Sequence, residues 1–191
     1  MNTPLKIFAG IFIVSAVAAV ISQGNSGGNW LGLDNKAQSL ADNGEYEQSV
    51  AMSRLELKAA REGLGPDHPD MVTCLNNIAL RYANHGDFAN AEPLYLEALA
   101  IAGKVAAVPA GVRATLMDNL GVLYRQHDAP AKAEPMLKAA LDLRVSALGP
   151  NHPEVVASLN NLATLYRNTG RGKEADEMQA RADAIRAKTL R

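Results

Sequence analysis

From Pro69 to Ile101 the apolar and polar positions fall into two helical stripes. Val72, Leu75, Ile78, Ala79 and Tyr82 are spaced three, three, one and three apart, which is one face of an α-helix and not the period-two pattern of a strand. After a break at Gly86, the positions Phe88, Ala91, Leu94, Tyr95, Ala98, Leu99 and Ile101 resume the stripe, so the pattern predicts a helix, a turn and a second helix. Pro69 suits the first turn of the first helix, because the N–H it lacks would have no partner there, and Asp70 puts a carboxylate near the positive end of the helix dipole.

The same pattern recurs along the chain. "LGPDHPDMVTCLNNIALRYANHG" at 64–86 returns as "LGPNHPEVVASLNNLATLYRNTG" at 148–170, an offset of 148 − 64 = 84 residues. Halfway between, "AAVPAGVRATLMDNLGVLYRQHD" at 106–128 places Met117, Asn119, Leu120, Gly121 and Tyr124 on Leu75, Asn77, Ile78, Ala79 and Tyr82, so the true period is 42. A fainter copy sets Leu33, Asn35, Ala37, Leu40 and Gly44 on Leu75, Asn77, Ala79, Tyr82 and Gly86. A fixed period of this size predicts a solenoid in which each unit buries its apolar face only against its neighbours. The expected units are about 31–69, 70–111, 112–153 and 154–191. Small residues recur where the two helices of a unit pass: Ala79, Gly121 and Ala163 on the first, Ala91, Ala133 and Ala175 on the second. Only small side chains let backbones approach at the short end of the usual ~8–10 Å interaxial range.

A small residue and Tyr on the first helix, Gly at the turn and two alanines on the second resemble the tetratricopeptide repeat (TPR). The 42-residue unit and the strings "LNNLATLY", "AEPLYLEAL" and "LGPDHP" resemble its kinesin-light-chain-like class. The resemblance covers everything after about residue 31. It implies an all-α fold, a right-handed superhelical solenoid of about four helix-turn-helix units, whose usual role is non-enzymatic protein–protein interaction. Three departures stand out: "AAVPAG" replaces "LGPDHP" at 106–111, His127 and Asp128 replace the turn glycine, and Gln179 and Asp183 stand where Tyr95 and Leu99 sit, which reads as a polar end cap.

The first 30 residues are different in kind. Lys6 precedes an apolar run, Ile7 to Ile21, and no further charge occurs until Asp34. A positive start, an apolar stretch and small residues near its end outline an export signal, and the run, somewhat short of the ~20 residues that span a bilayer, can also stay as a thin N-terminal anchor. Cleaved and uncleaved forms both remain open. Residues 1–22 are therefore expected to be signal or anchor, 23–30 a flexible linker, and 31–191 the TPR domain. Lys6 on the cytoplasmic side would place the repeats across the membrane, so the protein is expected to be exported, periplasmic or otherwise extracytoplasmic, either soluble after cleavage or anchored by residues 7–21.

Charge and motifs narrow the chemistry. A formal net charge of −1 argues against a nucleic-acid partner. With a single cysteine, Cys74, no intrachain disulfide forms, and its place on the first helix reads as packing. His68 and His152 repeat two units apart, too far to share a metal, and neither HxxxH nor CxxC occurs. No phosphate loop and no GxSxG elbow is present. No catalytic residue, metal site or cofactor is predicted.

What repetition itself builds is a surface. The resemblance implies that the first helices line a concave groove and that its lining positions are Asn76, Leu80, Ala83 and Asn84 in unit two. The corresponding positions are Asp118, Val122, Arg125 and Gln126 in unit three, Asn160, Thr164, Arg167 and Asn168 in unit four, and Asp34, Gln38, Ala41 and Asp42 in unit one. Carboxamides both donate and accept, which suits a peptide main chain. Arg125 and Arg167, one unit apart, could each take a carboxylate, so a protein or peptide partner with an acidic segment is expected. The lysine-and-asparagine clamp of some TPR domains is not reproduced, because Leu80, Val122 and Thr164 stand where its asparagine belongs. Homo-oligomerisation through the same architecture is the alternative, and an uncleaved N-terminus would add the membrane as a partner. Asn35, Asn77, Asn119 and Asn161 fill one register in all four units, which predicts a hydrogen bond between helices repeated once per unit.

Overall fold

The computed structural model describes residues 30–189, and the expected signal or anchor segment and most of the linker lie outside them. Eight α-helices follow in order: α1 (Trp30–Asp42), α2 (Tyr46–Leu64), α3 (Pro69–Asn84), α4 (Phe88–Lys104), α5 (Ala110–Gln126), α6 (Pro130–Leu148), α7 (Val155–Asn168) and α8 (Gly172–Thr189). Among the described residues there is no strand. Each odd-numbered helix packs on the even-numbered helix after it, and α2, α4 and α6 each pack on the first helix of the next pair. The odd helices also touch one another, α1 with α3, α3 with α5 and α5 with α7, so they line one side of the stack.

The turn inside each pair explains one departure in the sequence. Gly44, Gly86 and Gly170 have φ of 80°, 77° and 75°, and Asp128, which occupies the same register, has φ of 53°. The chain leaves the first helix through a left-handed residue in all four units, and the next amide bonds back into the helix: Glu45 to Leu40, Asp87 to Tyr82, Ala129 to Tyr124 and Arg171 to Tyr166, at 2.8–2.9 Å. Asp tolerates this conformation better than most residues, which is how unit three dispenses with glycine.

Between units, the two repeated histidines act as caps. His68 Nδ1 accepts from the Asp70 amide at 3.2 Å and His152 Nδ1 from the Glu154 amide at 3.3 Å, each satisfying a donor that the helix start would leave free.

The core follows the stripes. Leu75, Ile78, Ala79, Ala91, Tyr95, Ala98, Leu120, Ala133, Leu137, Leu159, Leu162, Ala163 and Ala175 are all buried. The close approach expected at the small residues is evident in unit three, where a Cβ on Gly121 would lie 2.6 Å from Leu137 Cδ2. At the C-terminal end α8 buries only Ala175, Ala182 and Ile185, while Gln179 bonds to Asp183 at 3.0 Å on its outer side. That is the polar cap the sequence predicts.

Candidate partner-binding groove

The odd helices carry a ladder of side-chain bonds from unit to unit. Asn77 Nδ2 donates to Asp34 Oδ2 at 3.3 Å, and Asn119 Nδ2 donates to Asn76 Oδ1 at 3.0 Å. In unit three the corresponding position, Asp118, accepts from Ser158 Oγ of the next unit at 3.0 Å. The asparagine register therefore reaches back one unit to the Asp or Asn that precedes the corresponding position there. Asn35 is exposed, since no described unit precedes it.

Two buried charge clusters anchor this ladder. In the first, Arg81 on α3 pairs with Glu56 on α2, bonds to Asp34 on α1 at 2.7 Å and to Ser53 Oγ at 2.9 Å. Cys74 donates to Glu56 Oε1 at 3.6 Å. Burial pushes the Glu56 carboxyl up to about 8 against the pull of Arg81, with Asp34 adding to the rise, and burial likewise pushes the Cys74 thiol up. In the second cluster, Arg144 on α6 pairs with Asp118 on α5 and bonds to Ser158 on α7 and to Thr115 Oγ1 at 3.1 Å. Burial raises the Asp118 carboxyl from its ordinary value while Arg144 opposes the shift.

Asp118 thus departs from the expected groove lining. It is only 4% exposed, pairs with Arg144 inside its own unit and accepts from Ser158 Oγ of the next at 3.0 Å, so it holds structure together and offers nothing to a partner. Asp34 is half-buried and committed to Arg81 and Asn77, and Asp42 is exposed and bonded to Gln38 at 2.8 Å. Asn76 is half-buried in the ladder and bonds to Asn77 at 3.5 Å. Thr164 turns its hydroxyl to the Asn160 carbonyl at 2.9 Å.

What remains accessible clusters toward the C-terminal ends of the odd helices. Asn84, Gln126, Arg167 and Asn168 are exposed. Among the described residues Arg167 reaches only Gln179, at 3.5 Å. Arg125 is half-buried, its Nε is shielded with no hydrogen-bond partner among the described residues, and burial lowers its affinity for its proton. An arginine so placed lacks the carboxylate that the arginines of both buried clusters have.

Residues 30–104 and 112–188 match the tetratricopeptide repeat family, and the chain belongs to that family. Its repeats share their fold with kinesin-light-chain-type repeats of known structure. Among solved structures it is similar to BtubC (BKLC) from P. vanneervenii at 25% identity and a TM-score of 0.73, covering 83% of this chain and 63% of that one. It is also similar to a kinesin-light-chain-type protein of Podosopora anserina with nearly identical TPR-like repeats, at 22% identity and a TM-score of 0.74, covering 92% of this chain and 82% of that one. No curated protein matches the sequence. Family membership and neighbours indicate a protein–protein interaction scaffold, and the TPR fold is typically non-enzymatic.

Proposed function

We propose that this scaffold is exported or held at a membrane by its N-terminus and binds an acidic segment of a protein partner along the concave side. The observation that carries the reading is the contrast among arginines. Arg81 and Arg144 have buried carboxylates, whereas Arg125 and Arg167, equivalent positions one unit apart, have none among the described residues. A guanidinium that is partly desolvated and unpaired gains from a bidentate carboxylate. Asn84, Gln126 and Asn168 beside them supply donors and acceptors for a peptide main chain. Export rests on Lys6 and the apolar run 7–21, which lie outside the described residues; among those described, no helix is long and apolar enough to cross a membrane.

The test is a crosslinked pull-down from membrane and extracytoplasmic fractions with the wild-type chain and an Arg125→Gln/Arg167→Gln variant of equal helix content. The reading predicts a partner carrying an acidic segment that is captured by the wild type and lost from the variant. Equal capture by both overturns the arginine assignment, and an oligomer that persists on dilution without a partner favours self-association instead. Recovery from the cytoplasm alone overturns the placement.

A further inference from the structure

The first charge cluster is out of balance. Arg81 is one cation, and Glu56 and Asp34 are two carboxyl groups in contact with it. The groups facing Glu56 come from both helices packed on α2: Asp34 from α1, and Arg81 and Cys74 from α3. Two uncharged groups complete the site: Ser53 Oγ accepts from Arg81 Nε, and Asn77 Nδ2 donates to Asp34. The Arg61–Glu97 pair that also ties α2 to α4 is balanced and solvent-exposed. Glu56 has no exposed surface, whereas Asp34 keeps 18% of its side chain in contact with solvent.

With both carboxyls ionised the cluster would carry a buried net charge of −1. A low-dielectric site disfavours such a charge, and the group that can shed it is the more deeply buried one. We propose that the first helix pair docks on α3 through a carboxyl pair that holds one proton in excess at neutral pH, and that α1 and α2 loosen from the stack when that proton is lost in alkaline solution. The α4–α5 junction is built on the buried apolar residues Ile101, Ala102, Val108 and Leu116, and the carboxylate that crosses it, Glu92, accepts from Tyr124 at 2.8 Å from a half-buried edge, so it holds no surplus buried carboxyl.

The direction follows from linkage. Glu56 sits near 8 in the folded protein, above the ordinary carboxyl value, so its contribution is complete below that ordinary value and is lost as pH rises through about 8. The proposal does not depend on the groove or on any partner.

Hydrogen exchange of the full chain tests it, read as protection of α1 and α2 amides relative to α4 at pH 6 and pH 9.5. The wild type is expected to lose that relative protection by about tenfold or more. Glu56→Gln, which removes the surplus charge at constant shape, is expected to flatten the response. Asp34→Asn leaves one carboxylate for one guanidinium and should flatten it too, so the answer does not hang on one variant folding. Relative protection that is unchanged in the wild type, or an equal loss in both variants, overturns the proposal.

Discussion

At the junction of the first and second repeats Arg81 lies between two carboxyls, Glu56 and Asp34; at the junction of the third and fourth, Arg144 meets one carboxylate, Asp118, and the hydroxyls of Ser158 and Thr115. Both clusters occupy positions that the repeat elsewhere gives to apolar residues. Glu56 stands on the register of Ala98 and Ala140, Arg81 on that of Leu123 and Leu165, and Arg144 on that of Ala60 and Ala102, all buried. A charge placed where alanine or leucine packs is tolerable only if an opposite charge arrives from the neighbouring helix. The junction between them, from α4 to α5, keeps the apolar residues and carries no such pair. The comparison teaches that buried charges are used inside this solenoid for structure, across units at Arg81 and within a unit at Arg144, where only the Ser158 hydroxyl reaches the next one, so the side that meets partners must be sought among the charges left over.

The comparison breaks most visibly at Arg144. Its replacement by Ala leaves Asp118 buried and unpaired, and urea unfolding is expected to show a loss of about 3–5 kcal/mol. Adding Asp118→Leu should recover most of that loss. If the single variant costs no more than a surface ion pair, the second cluster is not a junction. Next in size is Gly121→Ala, whose new methyl meets Leu137 at 2.6 Å and the Ala133 carbonyl at 3.3 Å. Overpacking there is expected to cost about 1–3 kcal/mol, read as a lower melting temperature. Asn119→Ala removes one rung of the ladder, and about 1 kcal/mol is expected to go with it. Partner binding should be unchanged by that substitution, and its loss at constant stability would move the asparagine register from joining units to recognition. Smallest is Asp128→Gly, which relieves a left-handed non-glycine residue and is expected to stabilise by about 0.5 kcal/mol, a rise in melting temperature of roughly 1–2 °C.

Much of this was legible in the sequence because repetition supplies its own alignment. A residue on the stripe in one unit predicts burial of its counterparts 42 positions away, and the polar cap on α8 is visible as Gln179 and Asp183 breaking that rule. The per-unit hydrogen bond of Asn77 and Asn119 was likewise readable as a regularity, although its acceptors were not. The groove was less legible. Asp118 sits on a lining register yet faces a cation from the next helix, and helix periodicity says nothing about what a neighbouring helix brings. A signal did exist: a charged residue on a register otherwise filled by buried alanine or leucine must be meeting its opposite, and Glu56, Arg81 and Arg144 all carry it. His68 and His152 as helix caps could have been found from their shared place before a proline, where a helix starts and an acceptor is wanted.

The most direct test of the division between joining and recognising charges is one melting curve and one binding titration on the Arg125→Gln/Arg167→Gln variant, using acidic peptides of scanned sequence. The account predicts a melting temperature within a degree or two of the wild type and loss of the acidic-peptide binding shown by the wild type. A melting temperature that falls as far as that of Arg144→Ala, or peptide binding that survives intact, would contradict it.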